Sequence, residues 1–284
     1  GFCTLLEVTK NMRRTFRRLT LLLDLESHRV SPKATVAVVS FDSPSTRNAL
    51  TADIGKKFKH LMSDLKSRED VKCVVLTGKG AAFSAGGDAK FLADRIKDSF
   101  ENNVATMKDF YGYYLSVREA GAPVIAAVNG HAIGAGMCIS LACDIRIVNQ
   151  NAKLSVNFSR LGIHPGMGAT YFLPKLVGVS RASRLLLTGE TISGIEAAKL
   201  GIASEAVLEG DVLPRAIAIA TDIAANTSSI AVSELVKTLR NDDATQLSAA
   251  LHREAEAQAV CYRQGIDLSE ALSALKEKRH PIFH

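Results

Sequence analysis

Two short apolar runs, each cut off by glycine, constrain this chain more than any other feature. Residues 71–77, apolar but for Lys72 and Thr77, run into Gly78-Lys-Gly80, and residues 124–128 run into Asn129-Gly130. A strand that does not alternate apolar with polar side chains is buried on both faces, as in parallel sheets covered by helices. Ile54, Phe58, Leu61, Met62 and Leu65 precede the first run at helical spacing, with Thr51 placed as N-cap. Strand and helix in alternation predict right-handed crossovers over parallel strands, an α/β chain.

The surrounding pattern fills in the organisation. Residues 20–26 and 35–41 read as a hairpin joined by the turn-like His28-Arg-Val-Ser-Pro-Lys33, residues 91–120 as a long helical region, and residues 134–143 as a small-residue helix leading into a strand at 145–148. After Gly201 comes one short strand near residues 204–208, then helical pattern from Asp211 to about Lys278. The expected division is a basic arm or presequence remnant at 1–18, a core at 19–210 and a helical C-terminal subdomain at 211–284 packed on the core or on a neighbouring subunit.

Composition removes several function classes. At 47% hydrophobic and mean hydropathy +0.10 over 284 residues, the chain has ample apolar mass for a core, which excludes disordered and collagen-like classes. Of the net charge of +6, four units sit in residues 1–18, where Lys10, Arg13, Arg14, Arg17 and Arg18 face only Glu7. A nucleic-acid footprint would be a basic face interleaved with aromatics, yet aromatic content is 6% and Trp is absent, so no nucleic-acid partner is expected. No apolar run reaches the roughly 18 residues of a membrane span. Five cysteines without a CxxC pair point to free thiols in a reducing compartment, and no metal spacing appears. The Arg-rich stretch around Met12 has the composition of an organellar presequence and equally that of a solvated arm. A mitochondrial matrix location is the expectation, with the cytoplasm as the alternative.

The glycine loops are where chemistry is permitted. Gly134 to Gly136 open a helix, so free N–H donors and the positive end of its dipole face the strand edge. A developing oxyanion needs such donors, each worth about 2.7–4 kcal/mol of barrier. Neither loop carries GxGxxG or Gly-Lys-Ser/Thr, and no GxSxG or HExxH is present.

Four segments in order carry a family resemblance: Phe83-Ser-Ala-Gly-Gly-Asp88, Ala122-Pro-Val-Ile-Ala-Ala-Val-Asn-Gly-His-Ala-Ile-Gly-Ala-Gly136, Ala142-Cys-Asp-Ile-Arg146 and Leu161-Gly-Ile-His-Pro-Gly-Met-Gly-Ala-Thr170. With Arg47-Asn-Ala-Leu50 upstream and Ala197-Ala-Lys-Leu-Gly-Ile-Ala203 downstream, the chain resembles the crotonase, or enoyl-CoA hydratase/isomerase, superfamily. The resemblance implies a spiral of stacked ββα units, C-terminal helices that build homotrimers or homohexamers, and an acyl-CoA thioester as ligand. Coenzyme A enters as part of the substrate, and no separate cofactor or metal is implied. The resemblance also implies that the amides of Ala85 and Ala135 hold the thioester oxygen, with Arg47, Ala49, Ser84, Gly86, Gly87, Asp88, Gly134 and Phe158 around the substrate.

One departure matters for the chemistry. The two glutamates with which the family's hydratases activate water fall on Cys138 and Phe158, neither of which is a carboxylate. Ordinary hydration is therefore expected to be poor. Cys138, near a helix N-terminus that favours thiolate, and His164 are the substitute acid/base candidates. The plain alternatives are a small apolar helix residue and a loop histidine capping backbone groups. At the level of the whole protein, the choice is between an enzyme that stabilises a thioester enolate and a non-catalytic acyl-CoA-binding or scaffold protein.

Overall fold

The computed structural model describes residues 15–20, 23–241 and 244–283. An antiparallel meander, β1 (Thr15–Thr20), β2 (Leu23–Ser31) and β3 (Ala34–Phe41), opens the main sheet. Helix α1 (Ala52–Lys66) crosses to β4 (Val71–Gly78), which runs parallel to β3. The chain then steps out to β5 (Ala82–Ser84), followed by α2 (Ala89–Arg95) and α3 (Phe100–Leu115). The unit recurs as β6 (Val124–Val128), β7 (His131–Ile133) and α4 (Ala135–Ala142), and again as β8 (Ile145–Asn149), β9 (Lys153–Ser155) and α5 (Ala169–Val177). Next come α6 (Val179–Thr188), β10 (Ile192–Ser193), α7 (Gly194–Lys199) and β11 (Glu205–Val207). Four helices finish the chain: α8 (Val212–Asn226), α9 (Ser229–Asn241), α10 (Ala244–Gln264) and α11 (Ile266–Glu277).

The main sheet has the order β1-β2-β3-β4-β6-β8-β11 and the second β10-β9-β7-β5. Each repeated unit thus gives one strand to each sheet before its helix, which is the spiral expected from the sequence. The apolar runs are buried on both faces, as their lack of alternation requires. Val74, Leu76, Val124, Ala126 and Val128 face the larger core, while Val36, Val38, Cys73, Val75, Ile125 and Ala127 form a second one under α8. That helix meets the sheet through Val212, Ala216 and Ala220, four residues apart, and the small side chains let it lie close. The C-terminal helices therefore pack on the core: α8 against the sheet and α10 against α3.

Local expectations hold where a cap or a period fixed them. Ile54, Phe58, Leu61, Met62 and Leu65 are all buried on α1, and the Ile54 amide donates to the Thr51 hydroxyl. The hairpin is longer than expected: β2 continues through His28 to Ser31 because His28 is buried and pairs with Val36, leaving Pro32 and Lys33 as the turn. The helical stretch at 91–120 is two helices, divided where Ser99 caps α3 by accepting from the Asn102 amide. The stretch from Asp211 is four helices, and Gly265 at φ +66 makes one of the breaks. Cys3, Lys10, Arg13 and Arg14 lie outside the described residues, whereas Arg17 and Arg18 fall in β1, so a strand begins inside the stretch read as an arm.

One buried carboxylate ties the C-terminal helices to the core. Gly168, at φ +76, begins α5 without a side chain to cap it. Glu254 of α10 supplies the cap, accepting from the Gly168 amide at 2.7 Å, the Thr170 amide at 2.9 Å and the Thr170 hydroxyl at 2.6 Å. Burial pushes this carboxyl above its ordinary value of 4.5, and the donated hydrogen bonds only partly offset it. The folded state consequently holds the proton more tightly than the unfolded chain, so this group's contribution falls as pH rises from about 4.5 through the folded value. Glu254→Gln should cost about 1–3 kcal/mol by leaving a donor unpaired. Urea midpoints compared at pH 5 and pH 7.5 should show the native chain losing stability relative to that variant as pH rises; a constant difference would contradict the assignment.

Candidate active site

The first glycine loop is pinned by backbone pairing. Ala85 N–H donates to Arg47 O at 2.9 Å, Leu50 N–H to Gly86 O at 2.8 Å and Asp88 N–H to Leu50 O at 3.0 Å. Arg47 and Asn48 reach this register at φ +54 and +56, strained for side chains with a Cβ, and buried Asn48 holds the turn. Its Nδ2 donates to Lys79 O at 3.0 Å and Ala82 O at 2.8 Å, and its Oδ1 accepts from Ser43 N–H at 2.8 Å. Ser84, fully buried, donates to Asn48 O at 2.8 Å.

The second loop starts α4. Gly134, at φ +53 and ψ −121, is its N-cap, and the first intrahelical bond runs from Cys138 N–H to Gly134 O at 3.1 Å. The Ala135 amide makes no hydrogen bond among the described residues. Gly86 lets the loops meet: a Cβ there would lie 2.5 Å from Ile133 O and 3.3 Å from Ala135 N, and its φ is +89. Both loops border a cavity of about 310 Å³ walled by Phe91, Leu92, Met107, Phe110 and Tyr111 from α2 and α3, Gln258 and Tyr262 from α10, and Leu272 and Leu275 from α11. Among the described residues, exposed Arg47 is the one charged residue lining it, and no Asp, Glu or His borders it. Among the described residues, no three His, Cys, Asp or Glu side chains gather as a metal would need.

A family model described as enoyl-CoA hydratase/isomerase matches residues 31–284. The chain belongs to the enoyl-CoA hydratase/isomerase family. The short-chain-enoyl-CoA hydratase of Clostridium acetobutylicum is 31% identical over 262 residues, covering 90% of this chain and 97% of that protein. Among solved structures, the enoyl-CoA hydratase of Bacillus anthracis is 31% identical with a TM-score of 0.69, covering 95% of this chain and 98% of that one. The enoyl-CoA hydratase of Bacillus halodurans superposes with a TM-score of 0.78 at 25% identity, covering 88% and 99%. The fold is thus the family's, and the features of this member lie in what fills the cavity.

Of the residues singled out in the sequence, Arg47, Ala85, Gly86, Gly87, Gly134, Ala135 and Phe158 all line the cavity of this family member. Ala49, Ser84 and Asp88 do not. Ser84 is turned into the loop's own support, and Asp88 caps α2, accepting from the Lys90 and Phe91 amides. The expected pair of free donors is one free and one engaged, because the Ala85 amide is used in the pairing with Arg47. Cys138 is fully buried, its Sγ lies 3.5 Å from Gly166 O, and burial, helped by the charge of Glu254, pushes the thiol well up, which disfavours the thiolate. His164 sits off the cavity with Nδ1 2.6 Å from Pro165 O. Gln258, Tyr262, Leu272 and Leu275 escaped the sequence reading, which treated the C-terminal helices as packing elements. Nothing local distinguishes Gln258 from Gln246 or Gln264 until α10 is laid against α3.

Gly86→Ala tests the loop geometry. It should cost about 1–3 kcal/mol of stability through the positive φ, and the displaced Ile133 carbonyl should weaken thioester binding as well. Thermal melting and titration with butanoyl-CoA read the two effects; an unaltered melt would contradict the close approach.

Proposed function

We propose that the chain binds an acyl-CoA thioester with the acyl group in the cavity and the carbonyl oxygen at the Ala135 N–H, and that it stabilises the enolate form of that thioester there. The observation that carries this reading is the unpartnered Ala135 amide at the start of α4, opening on an apolar cavity. A fixed donor in low dielectric, reinforced by the helix dipole, favours negative charge on the oxygen without solvent reorganisation. Ala85 can join by sharing its hydrogen between Arg47 O and the ligand, since the donor already stands at the cavity wall. Arg47 at the mouth suits the phosphates of coenzyme A. Relatives named as enoyl-CoA hydratases support the thioester as the substrate class. The exposed Ile230, Leu235 and Leu239 of α9 are consistent with contacts in a homotrimer or homohexamer.

Ordinary water addition does not fit this cavity. It needs an acid and a base within reach of the β-carbon, and the lining supplies neither carboxylate nor imidazole. Phe158, at the matched position of one of the hydratase glutamates, instead presents a ring to the cavity. Isomerase, lyase or hydrolase chemistry on the enolate remains the reading.

The test is mass spectrometry of saturated, 2-enoyl and 3-enoyl CoA esters incubated with the protein in D₂O, with binding followed in parallel. Deuterium at the α-carbon is the expected result, together with hydration of 2-butenoyl-CoA that rises by about 10²-fold in Phe158→Glu. Rapid hydration by the native chain would overturn the account of the missing carboxylates. Tight binding with every ester unchanged would point to a non-catalytic acyl-CoA binder.

A further inference from the structure

The cavity wall is far richer in rings than the rest of the chain. The sequence holds 11 Phe, 5 Tyr and no Trp, yet Phe91, Phe110, Tyr111, Phe158 and Tyr262 all border this one space. They arrive from separate elements: Phe91 from α2, Phe110 and Tyr111 from α3, Phe158 from the segment after β9, and Tyr262 from α10. The apolar stripe of a single helix does not account for rings gathered in this way.

The rings are held from behind. Phe110 lies against Phe91 with centroids 4.8 Å apart and planes at 20°, and against Tyr114 of the core at 5.1 Å. The Arg95 guanidinium stands over Phe91, 5.3 Å from its centre. The two tyrosines are anchored by their polar ends. The Tyr111 hydroxyl donates to Gln258 Oε1 at 2.8 Å, and the Tyr262 hydroxyl has Gln258 Oε1 at 3.2 Å and Met107 Sδ at 3.8 Å within reach. With the hydroxyls engaged by the protein, these side chains offer an occupant their aromatic parts. A wall ordered before binding loses little side-chain freedom when a ligand enters.

Size and charge distribution narrow the occupant. A cavity of about 150 Å³ lined by Leu, Ile and Phe holds benzene, so about 310 Å³ admits a six-membered ring and the few carbons that join it to a thioester. A straight alkyl chain also fits by volume, but it meets the rings through dispersion alone. An aryl group adds edge-to-face and offset-stacked contacts, because ring edges are positive and ring faces negative. Phe158 sets the place, since it stands at the matched position of a glutamate that serves the third carbon of the acyl chain.

We infer that the cavity selects an acyl chain carrying an aryl group on or near its third carbon over one carrying a saturated ring of the same size. The inference rests on the thioester reading of the site above.

Calorimetric titration of the full chain with butanoyl-CoA, 3-phenylpropanoyl-CoA and 3-cyclohexylpropanoyl-CoA tests this. The phenyl ester should bind about threefold to tenfold more tightly than the cyclohexyl ester, although the saturated ring offers at least as much apolar area to bury. In Phe91→Leu and in Phe158→Leu, made separately so that either can be read if the other does not fold, that advantage should fall at least about twofold. Equal affinities for the two ring esters in the native chain, a tighter cyclohexyl ester, or an advantage that persists undiminished in the variants would each overturn the inference while leaving the thioester reading intact. Binding of butanoyl-CoA with exclusion of both ring esters would do the same. Failure of all three esters to bind the native chain would overturn the thioester reading itself, and this inference with it.

Discussion

The main sheet buries both of its faces, and the geometry of the site follows from that requirement. With the larger core on one side and α8 on the other, strands β4, β6 and β8 cannot expose an edge of polar side chains. Each ends instead in a corner from which the chain steps to the second sheet, where β5, β7 and β9 lie side by side. Strands that end level in one sheet and restart level in another bring their connecting loops together. Gly86 and Gly134 meet there, and the start of α4 is held with one amide unpaired. An unsatisfied donor at a helix N-terminus is a cost to folding that a ligand oxygen removes on binding.

What surrounds that donor decides the chemistry. The helices that close the cavity contribute rings, aliphatic chains and one amide-tyrosine cluster, while the carboxylate of Glu254 is spent on capping α5. Apart from Arg47, the side chains lining the cavity carry no charge, so a carbonyl held there would be polarised by fixed backbone dipoles. The same burial that surrounds the amide raises the Cys138 thiol well above its ordinary value and so disfavours the thiolate.

Much of this was legible in the sequence because it is written in local rules. Non-alternating strands, the Thr51 cap with its helical stripe, and the glycines at the corners each state their own geometry, and the motifs between Arg47 and Ala203 carried the family resemblance. Less legible were the features that depend on distant partners. The Ala85 amide is engaged because Arg47 adopts a positive φ, which no sequence pattern announces. Cys138 is a thiolate candidate from its place on the helix, and only tertiary packing brings the burial and the Glu254 charge that raise its thiol. Gln258 and Tyr262 line the cavity because α10 crosses α3, a tertiary fact that the periodicity of α10 alone does not contain.

The central claim is that the Ala135 N–H polarises a bound thioester carbonyl. Carbon-13 NMR of butanoyl-CoA labelled at the carbonyl carbon reads that polarisation directly, in the native chain and in Ala135→Pro, where proline at the first helical position removes the donor while remaining compatible with the helix. A downfield displacement of the carbonyl resonance on saturation of the native chain, lost in Ala135→Pro, is the expected result. A bound ester whose carbonyl resonance does not move, or one that moves equally in both proteins, would contradict the account.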